Sequence, residues 1–183
     1  MGKLFYIMGK SASGKDTIYQ RLLRNPEFSL ERLVIYTTRP IRDGELDGRE
    51  YHFVTEEDFQ KLKAEGKIIE DRGYETVYGL WRYFTADNMN LEEKSYLGIG
   101  TLESYEKLKA YYGEEKIRPI YIEVEDGERL KRAIAREETQ EAPKYEEMCR
   151  RFLADAQDFS EEKIRQAGIS HRFSNMDGAG GYV

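Results

Sequence analysis

The sequence has one cysteine and two histidines in 183 residues, which excludes several kinds of covalent and metal chemistry. A single cysteine, Cys149, cannot form an intramolecular disulfide, and no cysteine or histidine cluster has the spacing of a metal site. We therefore expect Cys149 to be a packing residue of a helix, in a protein from a reducing compartment.

Long hydrophobic runs and an excess of basic charge are also missing. The apolar stretch at residues 4–8 is too short for a signal peptide or a membrane span, so we expect a soluble, cytoplasmic protein with no membrane partner. The formal net charge of -6 leaves no general basic surface, which argues against nucleic acid as a partner. Any anion site must therefore be a local concentration of arginine and lysine.

The most informative stretch present is Gly-Lys-Ser-Ala-Ser-Gly-Lys-Asp at residues 9–16. It follows an apolar strand and precedes an amphipathic helix predicted from Thr17 to Arg24. In that context Gly-x-x-x-x-Gly-Lys predicts a phosphate-binding loop (P-loop), whose backbone N–H groups and helix N-terminus attract a nucleoside triphosphate. An ordinary surface turn needs neither the lysine nor this spacing. The predicted phosphate-binding residues are Gly9, Lys10, Ser11, Ala12, Ser13, Gly14, Lys15, Asp16 and Thr17.

Position 16 departs from the usual P-loop, which has Ser or Thr there to bind Mg2+ through its hydroxyl. The carboxylate of Asp16 is also a hard oxygen ligand, so we expect it to help position Mg2+. Lys15 is expected to reach the outer phosphates.

Strands and helices alternate along most of the chain, which predicts an α/β protein with a mostly parallel, doubly wound sheet. We expect a strand at residues 33–36, a helix capped by Thr55, a weak helix from Phe84 to Lys94, and a helix from Leu102 to Tyr112 that ends at Gly113. Extended segments between residues 36 and 80 predict a strand-rich insertion.

Two arginines three residues apart, Arg39 and Arg42, lie on a loop held by Pro40 and Gly44. Their guanidinium groups can converge on one phosphate, although a solvated surface pair has the same pattern.

These motifs occur together, in order and at similar spacing, in guanylate kinases, which the sequence resembles over about residues 3–175. The resembling motifs are the P-loop, Thr37-Thr38-Arg39-x-x-Arg42 with Gly44-Glu45, residues 47–53 (Asp-Gly-Arg-Glu-Tyr-His-Phe), Glu70 and Tyr78-Gly79. The resemblance implies one domain over residues 1–183. Its parts would be a core at about 1–35 and 95–183, a nucleotide-monophosphate-binding lobe at about 36–94, and a helical lid at about 127–155.

The resemblance also implies the reaction, which is ATP-dependent phosphoryl transfer to GMP or dGMP with Mg2+ as cofactor. It implies that Arg39, Arg42, Tyr51 and Tyr78 hold the acceptor phosphate, that Gly79 also belongs to the GMP site, and that Glu70 accepts hydrogen bonds from guanine. Lys15, Arg39 and the lid arginines would stabilise the transferred phosphoryl group. The implied lid arginines are Arg132, Arg136 and Arg151, with Arg150 as an alternative to Arg151.

Three positions depart from the family pattern near the acceptor. Ile35 and Leu80 stand where the family usually has hydroxyl residues, and Gly100 stands where it usually has an acid. Two alternatives therefore stay open: a kinase of another phosphorylated acceptor such as ribose 1,5-bisphosphate, and an inactive module that binds a phosphorylated protein. The sequence does not fix the oligomeric state.

Overall fold

A computed structural model describes residues 1–176 of the chain. In chain order, the strands are β1 (Leu4–Met8), β2 (Leu30–Arg32), β3 (Tyr36–Thr37), β4 (His52–Phe53), β5 (Ile68–Thr76), β6 (Gly79–Ala86), β7 (Ser95–Ile99), β8 (Ile117–Glu123) and β9 (Arg172–Ser174). The helices are α1 (Lys15–Arg24), α2 (Glu56–Ala64), α3 (Leu102–Tyr112), α4 (Asp126–Glu138), α5 (Tyr145–Asp158) and α6 (Glu161–Gln166).

The larger sheet has the strand order β2-β7-β1-β8-β9, and all its pairs are parallel. Successive side chains of β1 point to opposite faces. Tyr6 and Met8 pack with residues of α3 and α6, whereas Ile7 packs with Ile18 of α1. Helices thus cover both faces, so the predicted doubly wound, parallel α/β class is confirmed.

The smaller sheet lies between β2 and β7 in the chain and has the order β4-β3-β6-β5. Its β5–β6 hairpin is antiparallel, and β3 pairs parallel with β4. One face packs on α2, where Phe59 contacts Phe84 at 4.9 Å between ring centroids. The opposite face carries Tyr83 and Thr85, which flank Phe84 along β6.

Two helix ends lie where capping residues in the sequence predict them. The Thr55 hydroxyl accepts from the Asp58 N–H while the Asp58 carboxylate accepts from the Thr55 N–H, so the predicted N-cap of α2 is a capping box. Helix α3 spans the predicted residues and ends at Gly113, which has φ 93°.

Three expectations are wrong. Residues 33–35 lie between β2 and β3 rather than in a strand of their own. Phe84 belongs to β6 rather than to a helix, because it pairs with Asp71 and is fully buried against α2. Cys149 is exposed on α5 rather than packed. Among the described residues, no helix is both long and apolar enough to span a membrane.

Candidate active site

The P-loop connects the carboxyl end of β1 to α1, at the edge where parallel α/β sheets bind ligands. Gly14 precedes α1 with φ 83°, and a side chain there would meet the Asn175 amide at 2.4 Å. A side chain at Gly9 would come within 2.7 Å of the Ile122 carbonyl oxygen. Both predicted loop glycines are therefore required by the backbone path, which curls tightly as a phosphate cradle does.

Side chains from α4 and α5 hold the first half of this loop. Arg129 is 1% exposed, and its Nη1 donates to the Ser11 carbonyl oxygen at 3.1 Å. The same nitrogen lies 3.3 Å from Asp155 Oδ2, which in turn accepts the Ser11 N–H at 2.8 Å. Both backbone groups of Ser11 are thus fixed by one ion pair, in which Arg129 is buried and Asp155 is 16% exposed.

The second half of the loop is held from the segment after β9. Asn175 Nδ2 donates to the Ser13 carbonyl oxygen at 2.9 Å. The Ser13 hydroxyl and the Asn175 Oδ1 are buried without a hydrogen-bond partner among the described residues. The Ser13 hydroxyl can donate a hydrogen bond to an anion, whereas Asn175 Oδ1 can only accept one.

Lys15 and Asp16 open α1, where the helix dipole adds positive potential. Lys15 Nζ lies 3.9 Å from Asp16 Oδ2, and the Asp16 side chain is 86% exposed. Within residues 1–176, no cluster of three acidic, histidine or cysteine side chains forms a metal cage. Mg2+ usually binds one or two carboxylates, several waters and the substrate phosphates, so a single accessible carboxylate fits its donor preference.

One face of the smaller sheet gathers three of the six predicted acceptor-site residues, namely Arg39, Tyr51 and Glu70. Arg39 is 4% exposed, and both of its terminal nitrogens donate to Glu45, at 2.8 and 3.0 Å. Its guanidinium lies 5.5 Å from the centroid of the Tyr51 ring. Tyr51 also contacts Tyr83 edge-on at 5.6 Å. Arg39 and Tyr51 thus form one cluster, with Tyr83 at its base.

Glu45 orders this cluster, a role that the sequence pattern alone did not reveal. Its Oε2 accepts the backbone N–H of Arg42 at 2.8 Å as well as the Arg39 guanidinium. The Arg39 hydrogen bonds, followed by that backbone N–H, hold the pKa of Glu45 below its usual range. Glu45 therefore stays charged and ties the two predicted phosphate-binding arginines into one loop.

Glu70 lies farther along the same sheet face. It is 7% exposed, accepts from the Thr85 hydroxyl at 3.2 Å, and is 3.9 Å from the Arg72 guanidinium. Glu70 pairs with Thr85 across the hairpin, and Arg72 pairs with Tyr83. Two residues along a strand span about 7 Å, so Glu70 lies about that far along the sheet from Tyr83, at the base of the arginine cluster.

Glu70 and Arg72 also line a cavity of about 370 Å³ together with Thr101, Ser104 and Asp158. Asp158 is three residues beyond Asp155 on α5, which is a rise of about 4.5 Å. One helix end therefore contacts both the P-loop and the cavity beside Glu70.

A protein-family model described as guanylate kinase matches residues 1–163. The chain belongs to the guanylate kinase family. A guanylate kinase of Wolbachia pipientis is 31% identical over 157 residues, which is 85% of this chain and 75% of the relative. A guanylate kinase of Schizosaccharomyces pombe is 40% identical over 101 residues, covering 55% of this chain and 44% of the relative. This chain thus spans less than half the length of some curated relatives.

The crystal structure of guanylate kinase from Anaplasma phagocytophilum has a similar fold. The TM-score is 0.59, at 21% identity, over 95% of this chain and 77% of the other. This likeness confirms the fold and carries no information on individual side chains.

Three predicted acceptor-site residues of this guanylate kinase family member, Arg42, Tyr78 and Gly79, have side chains or positions outside the cluster of Arg39 and Tyr51. Tyr78 and Gly79 lie at the β5–β6 turn, where Tyr78 is 82% exposed and stacks on Trp81. Arg42 contributes its backbone N–H to Glu45, while its side chain is exposed.

The predicted lid arginines are distributed over α4 and α5. Arg132 donates to the carbonyl oxygens of Asn175 and Met176, which follow β9, and pairs with Glu128 at 3.0 Å. Since Asn175 also holds the P-loop, Arg132 is close to the phosphate cradle. Arg136 is exposed one turn farther along α4. Arg150 and Arg151 both reach Glu147, at 2.6 and 3.5 Å, so Glu147 does not distinguish between them as the lid residue.

Proposed function

We propose that this chain transfers the γ-phosphoryl group of ATP to GMP or dGMP, giving ADP and GDP or dGDP. The observation that supports it best is the arrangement around α5. A braced P-loop lies at one side of the helix end, and at the other is a cavity containing Glu70, an acid suited to guanine. Relatives named guanylate kinase support the same reaction.

Phosphoryl transfer needs positioning and positive charge rather than a nucleophilic side chain. In the proposed reaction, the loop N–H groups and Lys15 hold the ATP phosphates, and Arg39, Arg42 and Tyr51 hold the phosphate of the acceptor. Lid arginines Arg132, Arg136 and Arg151, or Arg150 in place of the last, would add charge to the transferred group and exclude water when the lid closes. Tyr78 and Gly79 would join the acceptor phosphate only if the hairpin tip moves toward it.

Glu70 would select the base. An ionised carboxylate accepts hydrogen bonds from the N1–H and 2-amino groups of guanine, and adenine lacks that pair of donors. Mg2+ bound to the ATP phosphates would supply further positive charge, with the exposed carboxylate of Asp16, directly after Lys15, as a protein ligand.

The proposed organisation is one domain over residues 1–183, with the lobe and lid at about 36–94 and 127–155. The smaller sheet and α2 fall inside the lobe range, and α4 and most of α5 fall inside the lid range. Residues 177–183 lie outside the described part of the chain.

A panel of acceptors tests the proposal. ADP formation would be measured with GMP, dGMP, AMP, UMP, CMP and ribose 1,5-bisphosphate, with Lys15→Ala as the control for a contaminating kinase. We expect turnover with the guanine nucleotides, and a loss of at least about a hundredfold in Lys15→Ala, since Lys15 supplies charge at the phosphates. A preference for ribose 1,5-bisphosphate would show that the acceptor is a sugar phosphate rather than GMP. No turnover with any acceptor would favour the inactive module that binds a phosphorylated protein.

A further inference from the structure

Arg72 lies beside Glu70 on the wall of the acceptor cavity. The two residues are two positions apart on β5, so their side chains project from the same face of the strand. Both line the cavity of about 370 Å³. The Arg72 side chain is 45% exposed, and its guanidinium forms no hydrogen bond within residues 1–176. Its N–H donors are therefore available to a ligand in the cavity.

The ion pair between Arg72 and Glu70 is open. Arg72 Nη2 lies 3.9 Å from Glu70 Oε1, which is longer than a hydrogen bond between a guanidinium and a carboxylate. The same carboxylate oxygen accepts from the Thr85 hydroxyl at 3.2 Å, which fixes the buried Glu70 side chain. A group of donors and a group of acceptors thus stand side by side, and a ligand with adjacent acceptor and donor atoms can bond to both.

Guanine has this pattern of polar atoms. Its N1–H and 2-amino groups are donors, and its O6 and N7 atoms are acceptors on the adjoining edge. In duplex DNA, a guanidinium that donates to O6 and N7 is the commonest base-specific contact that proteins make. Because O6 adjoins N1–H on the ring, a donor for O6 has to stand next to the carboxylate that accepts from N1–H.

Two cationic side chains line the cavity, those of Arg72 and Lys163. Within the described part of the chain, Arg72 is the cation paired with Glu70. A guanidinium also offers a planar fork of donors that matches two neighbouring acceptors, whereas an ammonium group is a point charge. Arg72 is therefore the cation suited to the O6 and N7 edge of a base held by Glu70.

We infer that Arg72 is a specificity-determining residue of the acceptor site. It donates to O6 and N7 of guanine, while Glu70 accepts from N1–H and the 2-amino group. Adenine is disfavoured at both residues, because its 6-amino donor would face the Arg72 guanidinium and its N1 acceptor would face the Glu70 carboxylate. This inference rests on the proposed function, because it assumes that the cavity beside Glu70 holds the base of the acceptor.

Arg72→Ala should weaken the binding of bases that carry a 6-oxo group. The KM for GMP, and the inhibition constant of IMP as a competitor of GDP formation from GMP, should each rise about ten- to a hundredfold, the usual loss for hydrogen bonds from a charged donor. IMP lacks only the 2-amino group, so the two rises should agree within about twofold. The inhibition constant of AMP, which has the same phosphate and ribose without the 6-oxo group, should change less than about threefold.

Lys107→Ala is the matched control. Its side chain is 44% exposed on α3, and it pairs with Glu103 at 2.9 Å without lining the cavity. It removes the same charge as Arg72→Ala but no donor to the base, so all three constants should stay within about twofold of wild type. Arg72→Lys, which keeps the charge but not the planar fork, should raise the KM for GMP less than Arg72→Ala does, by about three- to tenfold.

The outcomes separate this inference from the proposed function. Wild-type turnover of GMP with an unchanged KM in Arg72→Ala overturns the inference alone. An equal rise for GMP and AMP also overturns it, because that result indicates a phosphate contact or a structural role. A clearly smaller rise for IMP than for GMP would show that Arg72 acts through the Glu70 contact with the 2-amino group, and an equal effect of Lys107→Ala would indicate general electrostatics; either result overturns the inference. No wild-type turnover of GMP overturns both the proposed function and the inference.

Discussion

Arg129 Nη1 lies 3.3 Å from Asp155 Oδ2, and both side chains bond to Ser11 of the P-loop. The pair joins α4 and α5, the two helices of the proposed lid, to the start of the phosphate cradle. Arg129 also lies 4.7 Å from the centroid of the Phe152 ring and 3.0 Å from Asp126. Movement of either helix relative to the loop would therefore disturb a partly buried ion pair.

Asp155→Ala should lower the free energy of unfolding by about 3 kcal/mol, since it leaves a buried guanidinium short of a partner and the Ser11 N–H unpaired. The KM for ATP should rise as well, because the loop loses its support. Urea denaturation and steady-state kinetics measure the two effects. Lys94→Ala is the control, because it breaks an exposed pair with Glu31 and should cost less than about 1 kcal/mol. Equal stability of the two variants would contradict the bracing role.

Glu45 should give a pH-dependent contribution to stability. Its pKa in the folded protein is lowered by Arg39, so its stabilisation is present above the unfolded value of about 4.5 and is lost as the pH falls through the folded value. Glu45→Gln should therefore be less stable than wild type at pH 7, and the difference should shrink progressively below about pH 4.5. Urea denaturation across this range measures it, with Glu75→Gln as an exposed control. A difference that does not vary with pH would refute the charge-based explanation.

Glu70→Gln should reduce discrimination for guanine while leaving phosphate binding in place. Loss of a charged acceptor for two N–H groups should lower kcat/KM for GMP about ten- to a hundredfold, with little change in the KM for ATP. Asp71→Asn is the matched control, because its side chain points to the opposite face of β5 and pairs with Arg82 at 3.7 Å. If both variants have the wild-type preference among GMP, IMP and AMP, Glu70 does not read the base.

Asp16→Ser should change the metal dependence of the rate. Replacing a carboxylate by a hydroxyl alters the charge of the oxygen donor beside Lys15, so the Mg2+ concentration for half-maximal rate should shift while the fold is unchanged. Titration of the rate with Mg2+ at fixed ATP measures the shift. A titration curve identical to wild type would show that Asp16 takes no part in metal positioning.

Local signals predicted the parts of the fold that depend on nearby residues. The P-loop, the Thr55 cap and the Gly113 end of α3 each rest on a few adjacent side chains. The helix expected over Phe84–Lys94 failed because an apolar residue fits a buried strand as well as a helix, and pairing with Asp71 decided between them.

The supports of the site could not be predicted in the same way, because their partners are distant or are backbone atoms. Asp155 meets Ser11 across 144 positions, and Asn175 meets Ser13 across 162. In the sequence, Gly100 indicates only that a side chain is missing. The fold shows that the Tyr6 hydroxyl occupies the position that this side chain would take. This relation between Tyr6 and Gly100 depends on β1 and β7 being neighbours, which the sequence pattern leaves open.

The most direct test of the proposed reaction follows the phosphoryl group itself. Purified protein would be incubated with Mg2+, GMP and ATP labelled in its γ-phosphate, and the products would be separated by chromatography. The account predicts that the label appears in the β-phosphate of GDP, in amounts equal to the ADP formed, and that Lys15→Ala abolishes this transfer. Label recovered only as inorganic phosphate, or no transfer to GMP while ATP is consumed, would contradict it.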